Sequence, residues 1–456
     1  MVEPTDVVVV GLGIGGEGVA GRLAEAGLGV VGIDARLVGG ECPYWGCVPS
    51  KMMIRAANAL AEARRIPLLA GRATVMPDYG PVAARIRAEA TDDWDDRVAV
   101  ERFEAKGGRF VRGVARLDGP GRVRVDGTTF EAERGVVIAT GTVPSIPPVP
   151  GLDRVDYWTN REAIEAKELP ASLVVLGGGA VGLELAQVFA RFGTAVTVVE
   201  AEERLLPLEE PEAGALVAEV LRGEGIDVRT GTLARFADQD SAGVIVGLDD
   251  RSLLRAERLL VATGRRADLA TLGVASVGVD ERAPWVAVDE RLRVLGTDRV
   301  WGVGDVTGVG AFTHVAAYQA DIAAADILGE DPVPADYRAV PRVTFTDPEV
   351  GSVGLGEAAA RAAGLAVRVG AAQVASSARG WIHKVGNVGL VKLIEDADRA
   401  ILVGATSVGP HGGEVLGMLT LAVHAAVPTE QLRRMIYAYP TFHRTVEDAL
   451  RAPTAQ

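Results

Sequence analysis

The only two cysteines of the chain stand in one short run, Cys42-Pro43-Tyr44-Trp45-Gly46-Cys47-Val48-Pro49-Ser50-Lys51. Two thiols at this spacing can trade a pair of electrons only where the backbone brings the sulfurs together. A regular helix holds such Cα atoms about 8 Å apart, and a strand holds them further. Both exceed the roughly 7 Å reach of a disulfide. Pro43, Gly46 and Pro49 permit the irregular turn that would close the gap. The helical pattern MMIRAANALAEARR follows directly, and a helix N-terminus favours a thiolate, most directly on Cys47. Taken alone, the pair fits two buried cysteines at a helix start just as well. What favours redox chemistry is the company it keeps.

That company is a pair of glycine motifs. Gly11-x-Gly13-x-x-Gly16 follows the run VVVV, opens the pattern EGVAGRLAEAG and is followed by VVGID, which ends on Asp34. Gly177-x-Gly179-x-x-Gly182 follows LVVL, opens LELAQVFARFG and is followed by AVTVVE, which ends on Glu200. Such glycines allow a tight turn, a close backbone approach to a pyrophosphate and close helix–strand packing, and the helix N-terminus then faces the phosphates. The acid ending the next strand is placed to accept from ribose hydroxyls. Gly11 to Asp34 and Gly177 to Glu200 are both 23 residues apart. One such motif is weak evidence, but two with the same context and offset read as two dinucleotide sites. A tightly held electron carrier and a diffusible hydride donor, FAD and NAD(P)H, fit that division.

The elements that must position these residues are those of a large globular chain. Its 456 residues are 48% hydrophobic and 24% charged, and about three domains are expected at this length. A net charge of −14 argues against a nucleic-acid partner, because phosphate binding draws on Lys and Arg. Two cysteines make neither a secreted disulfide framework nor a four-Cys zinc site, and no metal is expected. No signal peptide or membrane span is legible, so a cytoplasmic protein with no membrane partner is expected. The acidic runs Asp92–Asp93 with Asp95–Asp96, and Glu209–Glu210 with Glu212, read as solvated faces. Pro144, Pro147, Pro148 and Pro150 mark one boundary, and the Pro-rich stretch Asp331–Pro341 marks another. Beyond it, strand patterns RVTF, VGLVKLIED and RAILVGATSVG alternate with helical patterns GEVLGMLTLAVHAAV and TVEDALRA, an α+β pattern with an antiparallel sheet.

The run GGECPYWGCVPSK resembles the redox-active disulfide motif of the class I pyridine nucleotide–disulfide oxidoreductases, which include dihydrolipoamide dehydrogenase, glutathione and mycothione reductases, and mercuric reductase. The likeness covers the whole chain. RGVVIATG, RLLVATGRR, VWGVGDVTG and VPRVTFTDPEVGSVGLGE stand in the family's order. The resemblance implies two Rossmann-like domains and an α+β dimerisation domain: an FAD domain over 1–148 and 268–338, an NAD(P) domain over 149–267 and an interface domain over 339–456. It implies cofactor binding by Gly11, Gly13, Gly16, Asp34, Gly40, Lys51, Gly113, Thr140, Gly141, Gly264, Asp305, Thr313 and His314, with FAD at the first glycine motif. NADH, rather than NADPH, is expected at Gly177, Gly179, Gly182 and Glu200. Hydride would pass from NADH to the flavin and on to a Cys42–Cys47 disulfide, with Cys47 beside the flavin and Cys42 facing the acceptor. Lys51 and Glu184 occupy positions that pair near the reactive flavin edge. His314 is expected to pack or position backbone rather than move protons.

The resemblance breaks near the C-terminus. The family's His-Pro-Thr-x-x-Glu motif becomes Tyr439-Pro440-Thr441-Phe442-His443-Arg444, so Tyr439 replaces the proton-carrying His and Arg444 replaces its Glu. A tyrosine ordinarily titrates near pH 10 and is a poor base at neutrality, though it can donate a hydrogen bond. His443 is a substitute base if this segment is not a regular helix. Tyr44 and Trp45 are bulkier than the family's residues there and are expected to narrow the substrate side. No cysteine follows Cys47, which argues against full mercuric reductase activity. The leading expectation is reduction of a small disulfide at an active site shared across a homodimer. The alternatives are a quinone, metal ion or other small oxidant as acceptor, and a non-enzymatic redox-sensing flavoprotein.

Overall fold

A computed structural model describes residues 1–452. Two compact units make up the chain. One is formed by Met1–Pro49, Ala84–Ser145 and Gly264–Tyr337, the other by Ser50–Ala83, Ile146–Thr263 and the chain from Arg338 onward.

In the first unit the valine run dictates the architecture. Val2–Val10 pairs in parallel with both Val30–Asp34 and Thr128–Ile138, so it is a central strand. Central parallel strands are covered on both faces. Val7 and Val9 pack with helices Ile14–Glu25 and Thr313–Leu328, while Val8 and Val10 join Leu117, Val123 and Phe130 on the other side. An unbroken apolar run is what two buried faces require. Arg109–Arg112 extends the sheet in parallel beyond Val30–Asp34. Arg122–Val125 and Arg116–Leu117 extend it in antiparallel fashion, and Val300–Gly302 adds in parallel to Thr128–Ile138. Small residues let the two covering helices meet: a Cβ on Gly18 would lie 3.1 Å from Ala320 Cβ.

The second unit repeats the strand–turn–helix–strand pattern and adds the antiparallel sheet. Four parallel strands run in the order Asp227–Arg229, Ala195–Val199, Ser172–Leu176, Arg258–Val261. A five-stranded antiparallel sheet runs Pro341–Thr344, Glu349–Gly354, Ile401–Gly409, Leu390–Asp396, Val367–Gln373. Helices Gly412–His424 and Arg444–Arg451 cover it around Leu416, Leu419, Val446 and Ala449. The expected fold class therefore stands. No described helix is long and apolar enough to cross a membrane.

The acidic runs need correcting, because neither is simply a solvated face. Asp96 is buried, accepts from the Val38 backbone N–H at 2.7 Å and pairs with Arg112 at 2.5 Å. Glu210 is buried against the buried Lys392, whose ammonium lies 2.7 Å from Glu210, 2.8 Å from Glu212 and 2.9 Å from Glu357. A burial cost that isolated charges could not bear is offset by these pairings.

Candidate active site

The two glycine loops are the same object built twice. Gly11 has φ +91° and Gly177 φ +110°, and a Cβ on either would strike a backbone oxygen, Ala139 O at 2.4 Å or Ala262 O at 2.3 Å. A Cβ on Gly16 would lie 1.9 Å from Gly11 O, and one on Gly182 would lie 2.2 Å from Gly177 O. The middle glycines differ in kind. A Cβ on Gly13 would meet only Gly40 Cα at 3.9 Å, and one on Gly179 would meet nothing within 4 Å. Those two positions are open cradles that a side chain would fill, which is what a bound pyrophosphate requires.

Asp34 and Glu200 have a duty the motif did not announce. Asp34 accepts from the N–H groups of Leu12 and Arg36, both at 2.7 Å. Glu200 accepts from the N–H groups of Gly178 and, at 2.8 Å, Glu202. Each acid thus braces its own glycine loop and its own following turn, and each carboxylate oxygen keeps a second lone pair for a ribose hydroxyl. Burial pushes Asp34 above the usual carboxylate range, against the pull of Leu12, Arg36 and Arg112.

The remaining expected cofactor residues differ in their surroundings. Gly40, with φ +72°, lays its backbone against Gly13, and Gly39 donates to Leu12 O at 2.7 Å, so the loop before the cysteines seals the first cradle. Gly141 and Gly264 both have positive φ and open space where a Cβ would project. Gly113 is glycine for packing: a Cβ there would lie 2.4 Å from Val125 Cγ1. Thr140 is exposed, whereas Thr142, which the sequence reading missed, donates its hydroxyl to Asp305 at 3.0 Å and accepts from Arg265 Nε at 2.8 Å. Asp305 is pushed upward by burial, with Thr142 and Arg265 opposing.

The cysteine turn is irregular, as its prolines and glycine suggested. A four-residue helix, Glu41–Tyr44, breaks at Trp45, and a new helix, Cys47–Arg65, starts on the second cysteine. Gly46 makes the break possible, since a Cβ there would lie 3.0 Å from Glu41 O and 3.4 Å from Cys42 Cα. Cys42 is half-buried and Cys47 is exposed. Cys47 Sγ lies 3.3 Å from Thr313 Oγ1, at the first turn of helix Thr313–Leu328. The hydrogen bond with Cys47, and burial after it, push the Cys42 thiol well up, while Thr313 pulls it down. His314 is exposed and stacks on Phe312 at 5.2 Å. Tyr44 is buried and packs against Gly39, with Asp96, Arg102, Asp95 and Glu17 as its charged neighbours.

In the second unit Lys51 and Glu184 meet as expected, at 2.8 Å, with Glu184 buried. The sequence reading missed what surrounds them. Glu184 also accepts from the Phe345 N–H at 2.8 Å, and the Lys51 ammonium lies 4.6 Å from the Phe345 ring centre. Gln187 exchanges two hydrogen bonds with the Asp347 backbone, at 2.8 and 2.9 Å, and Arg191 pairs with the Asp347 carboxylate at 2.8 Å. The signal was available: Glu184, Gln187 and Arg191 are polar residues at helical spacing in the otherwise apolar LELAQVFARF.

Tyr439 is 71% exposed and lies in a turn, outside any helix or strand. Arg444 lies over its ring at 5.4 Å and pairs with buried Glu447 at 3.0 Å. His443 immediately precedes helix Arg444–Arg451, so the stretch from Tyr439 to His443 is not a regular helix.

These loops, the paired thiols and the C-terminal sheet match a known family. The sequence profile "Pyridine nucleotide-disulphide oxidoreductase" matches residues 5–320, and that of its dimerisation domain matches residues 340–450. The chain belongs to the pyridine nucleotide–disulphide oxidoreductase family. It is accordingly a flavin- and pyridine nucleotide-dependent oxidoreductase, with the family's dimer-forming domain at its C-terminal end. A mercuric reductase of Streptomyces lividans is 36% identical, the match covering 99% of this chain and 96% of that one. A dihydrolipoyl dehydrogenase of Thermus scotoductus is 33% identical, covering 98% and 97%. Among solved structures, the HOCl-induced flavoprotein disulfide reductase RclA of Escherichia coli superposes with a TM-score of 0.85 at 27% identity, covering 98% and 99%. The Cu(II) complex of RclA gives the same TM-score, 0.85, and identity, 27%, with coverage of 97% and 99%.

Proposed function

We propose that this enzyme moves two electrons from NADH through bound FAD and the Cys42/Cys47 pair to a small disulfide, so that NADH, a proton and RSSR become NAD⁺ and two RSH. The observation that carries this reading is the pair of thiols sharing an irregular turn, with Cys47 at the Thr313 hydroxyl. The open cradle at Gly13, sealed by Gly40, suits a pyrophosphate, with Asp34 and Asp305 reaching the sugar ends of FAD. FAD supplies the two-electron exchange between a nicotinamide and a dithiol. The protein supplies the rest. The Cys42 thiolate attacks RSSR to form a mixed disulfide and release one thiol. Cys47 then displaces the second thiol and closes the Cys42–Cys47 bond. Thr313 holds the Cys47 sulfur, and Tyr439 of the partner subunit donates a proton to the departing thiolate, with His443 as the nearby base.

NADH is favoured over NADPH because Glu200 repels a 2′-phosphate. The turn after it, Ala201-Glu202-Glu203-Arg204, holds one arginine, and that arginine donates to Pro207 O at 2.6 Å.

One observation favours a second acceptor class. The hydrogen bond with Cys47 and burial raise the Cys42 thiol, and no histidine stands at position 439 to take its proton. A soft metal ion displaces thiol protons on binding and needs no such base. Relatives named mercuric reductase and the Cu(II) complex of RclA agree with that chemistry. Steady-state turnover with disulfides, quinones and metal ions, in wild type, Cys42→Ser and Cys47→Ser, decides between them. Disulfide reduction is expected in wild type and in neither variant. Metal-ion turnover in wild type without disulfide turnover would favour the second class, and quinone turnover that survives both substitutions, again without disulfide turnover, would displace the dithiol route.

A further inference from the structure

We propose that Phe345 is a positioning residue for Lys51, and that the interface segment Phe345–Asp347, bolted to the helix Ala180–Phe192, thereby sets the electrostatics of the flavin edge. The proposal rests on the function proposed above, in which the chain holds FAD, with Lys51 at the reactive flavin edge as the family resemblance implies.

Lys51 is a flexible side chain, 36% exposed, and would ordinarily follow solvent. Two features restrain it. Its ammonium is paired to Glu184 at 2.8 Å and lies over the Phe345 ring at 4.6 Å, inside the range of a cation–π contact. Glu184 cannot follow the lysine outward, because its other oxygen is held by the Phe345 N–H at 2.8 Å. Lys51 also donates to Ser50 Oγ at 3.3 Å, which leaves one ammonium hydrogen with no acceptor among the described protein residues. The ring is held in turn. Gln187 clamps the Asp347 backbone on both sides, and the Asp347 carboxylate takes Arg191 at 2.8 Å and Arg65 at 2.6 Å. Glu184, Gln187 and Arg191 stand one turn apart, so a single helix face holds the segment, and the segment holds the lysine. Phe345→Leu removes the ring and keeps the backbone N–H, so it separates the two restraints.

The test is the midpoint potential of bound FAD in the holoenzyme. Lys51→Met is expected to lower it, because a cation favours the reduced, anionic ring. Phe345→Leu, and the bulk-preserving Phe345→Met, are expected to lower it in the same direction. The reduced-to-oxidised ratio should change by about tenfold, or about 30 mV for a two-electron couple. Phe345→Tyr is expected to restore it, and Phe345→Leu is expected to add nothing in a Lys51→Met background. If Lys51→Met shifts the potential and neither Phe345→Leu nor Phe345→Met does, the positioning role is wrong and the reading of Lys51 survives. An additive double variant also overturns it. If Lys51→Met shifts nothing, both fall together.

Discussion

On Cys42 the hydrogen bond shared with Cys47 acts most strongly and raises the thiol, burial adds to this, and Thr313 opposes both. In the reduced enzyme, alkylation of Cys42 by iodoacetamide should therefore accelerate through a pH midpoint well above the ordinary value of about 8.5. Cys47→Ala should bring that midpoint down, and Thr313→Val should raise it further. A Cys42 midpoint unchanged by Cys47→Ala would refute the assignment of cause. The same shift carries a stability consequence. A thiol raised in the folded state contributes stability that is whole below the unfolded value, about 8.5, and is lost as the pH rises through the folded one. The reduced enzyme should lose thermal stability above that pH, whereas the disulfide form, with no thiol to titrate, should not. Melting curves of the two redox forms between neutral and alkaline pH make the comparison.

The repeated strand–turn–helix unit makes one experiment possible in duplicate. The third glycine of each motif faces the carbonyl of the first, so a methyl group at Gly16 or Gly182 would lie 1.9 or 2.2 Å from backbone that cannot retreat. Gly16→Ala should yield protein without bound FAD. Gly182→Ala should yield yellow protein whose flavin NADH no longer reduces, by a factor of at least about a hundred, as a displaced reactant costs. Flavin content and anaerobic reduction rates read both outcomes, and exchanged phenotypes would reverse the domain assignment. The glycine loops were legible because their constraints are local: a turn, an approach and an acid at a fixed offset. The cysteine turn was legible for the same reason, through Gly46 and its flanking prolines. What was not legible is held by partners far along the chain. Asp96 caps Val38 across 58 residues, Lys392 collects Glu210 across 182, and Phe345 reaches Glu184 across 161. Charge runs and a lone phenylalanine look alike in sequence whether solvated or buried, since only tertiary pairing offsets the burial of a charge.

The whole molecule is a family dimer, and the proposed site is complete only if each subunit completes the other's. The dimerisation domain leaves Trp381, Leu421 and Ile436 exposed at 72%, 62% and 96% on the isolated chain, together with Tyr439. A C2 interface is self-complementary, so a residue lent by one subunit is lent by both. Cys42→Ser removes the interchange thiol. Tyr439→Phe keeps the ring under Arg444 but removes the proton donor, and should lower acceptor turnover by about a hundredfold while flavin reduction by NADH stays near wild type. Each homodimer is then deficient at both sites. A heterodimer of the two has one site with both defects and one with neither, provided Cys42 and Tyr439 meet across the interface. Random subunit exchange should therefore return about a quarter of wild-type turnover from two nearly inactive parents, by the statistics of a two-fold dimer. If Tyr439 acts on Cys42 of its own chain, every subunit in the mixture carries a defect of its own, and turnover stays at the mean of the parents. Turnover measured before and after exchange, with dimer formation checked by sedimentation, separates the two cases. A recovered quarter would also show that Tyr439, standing where the family carries histidine, takes part in catalysis.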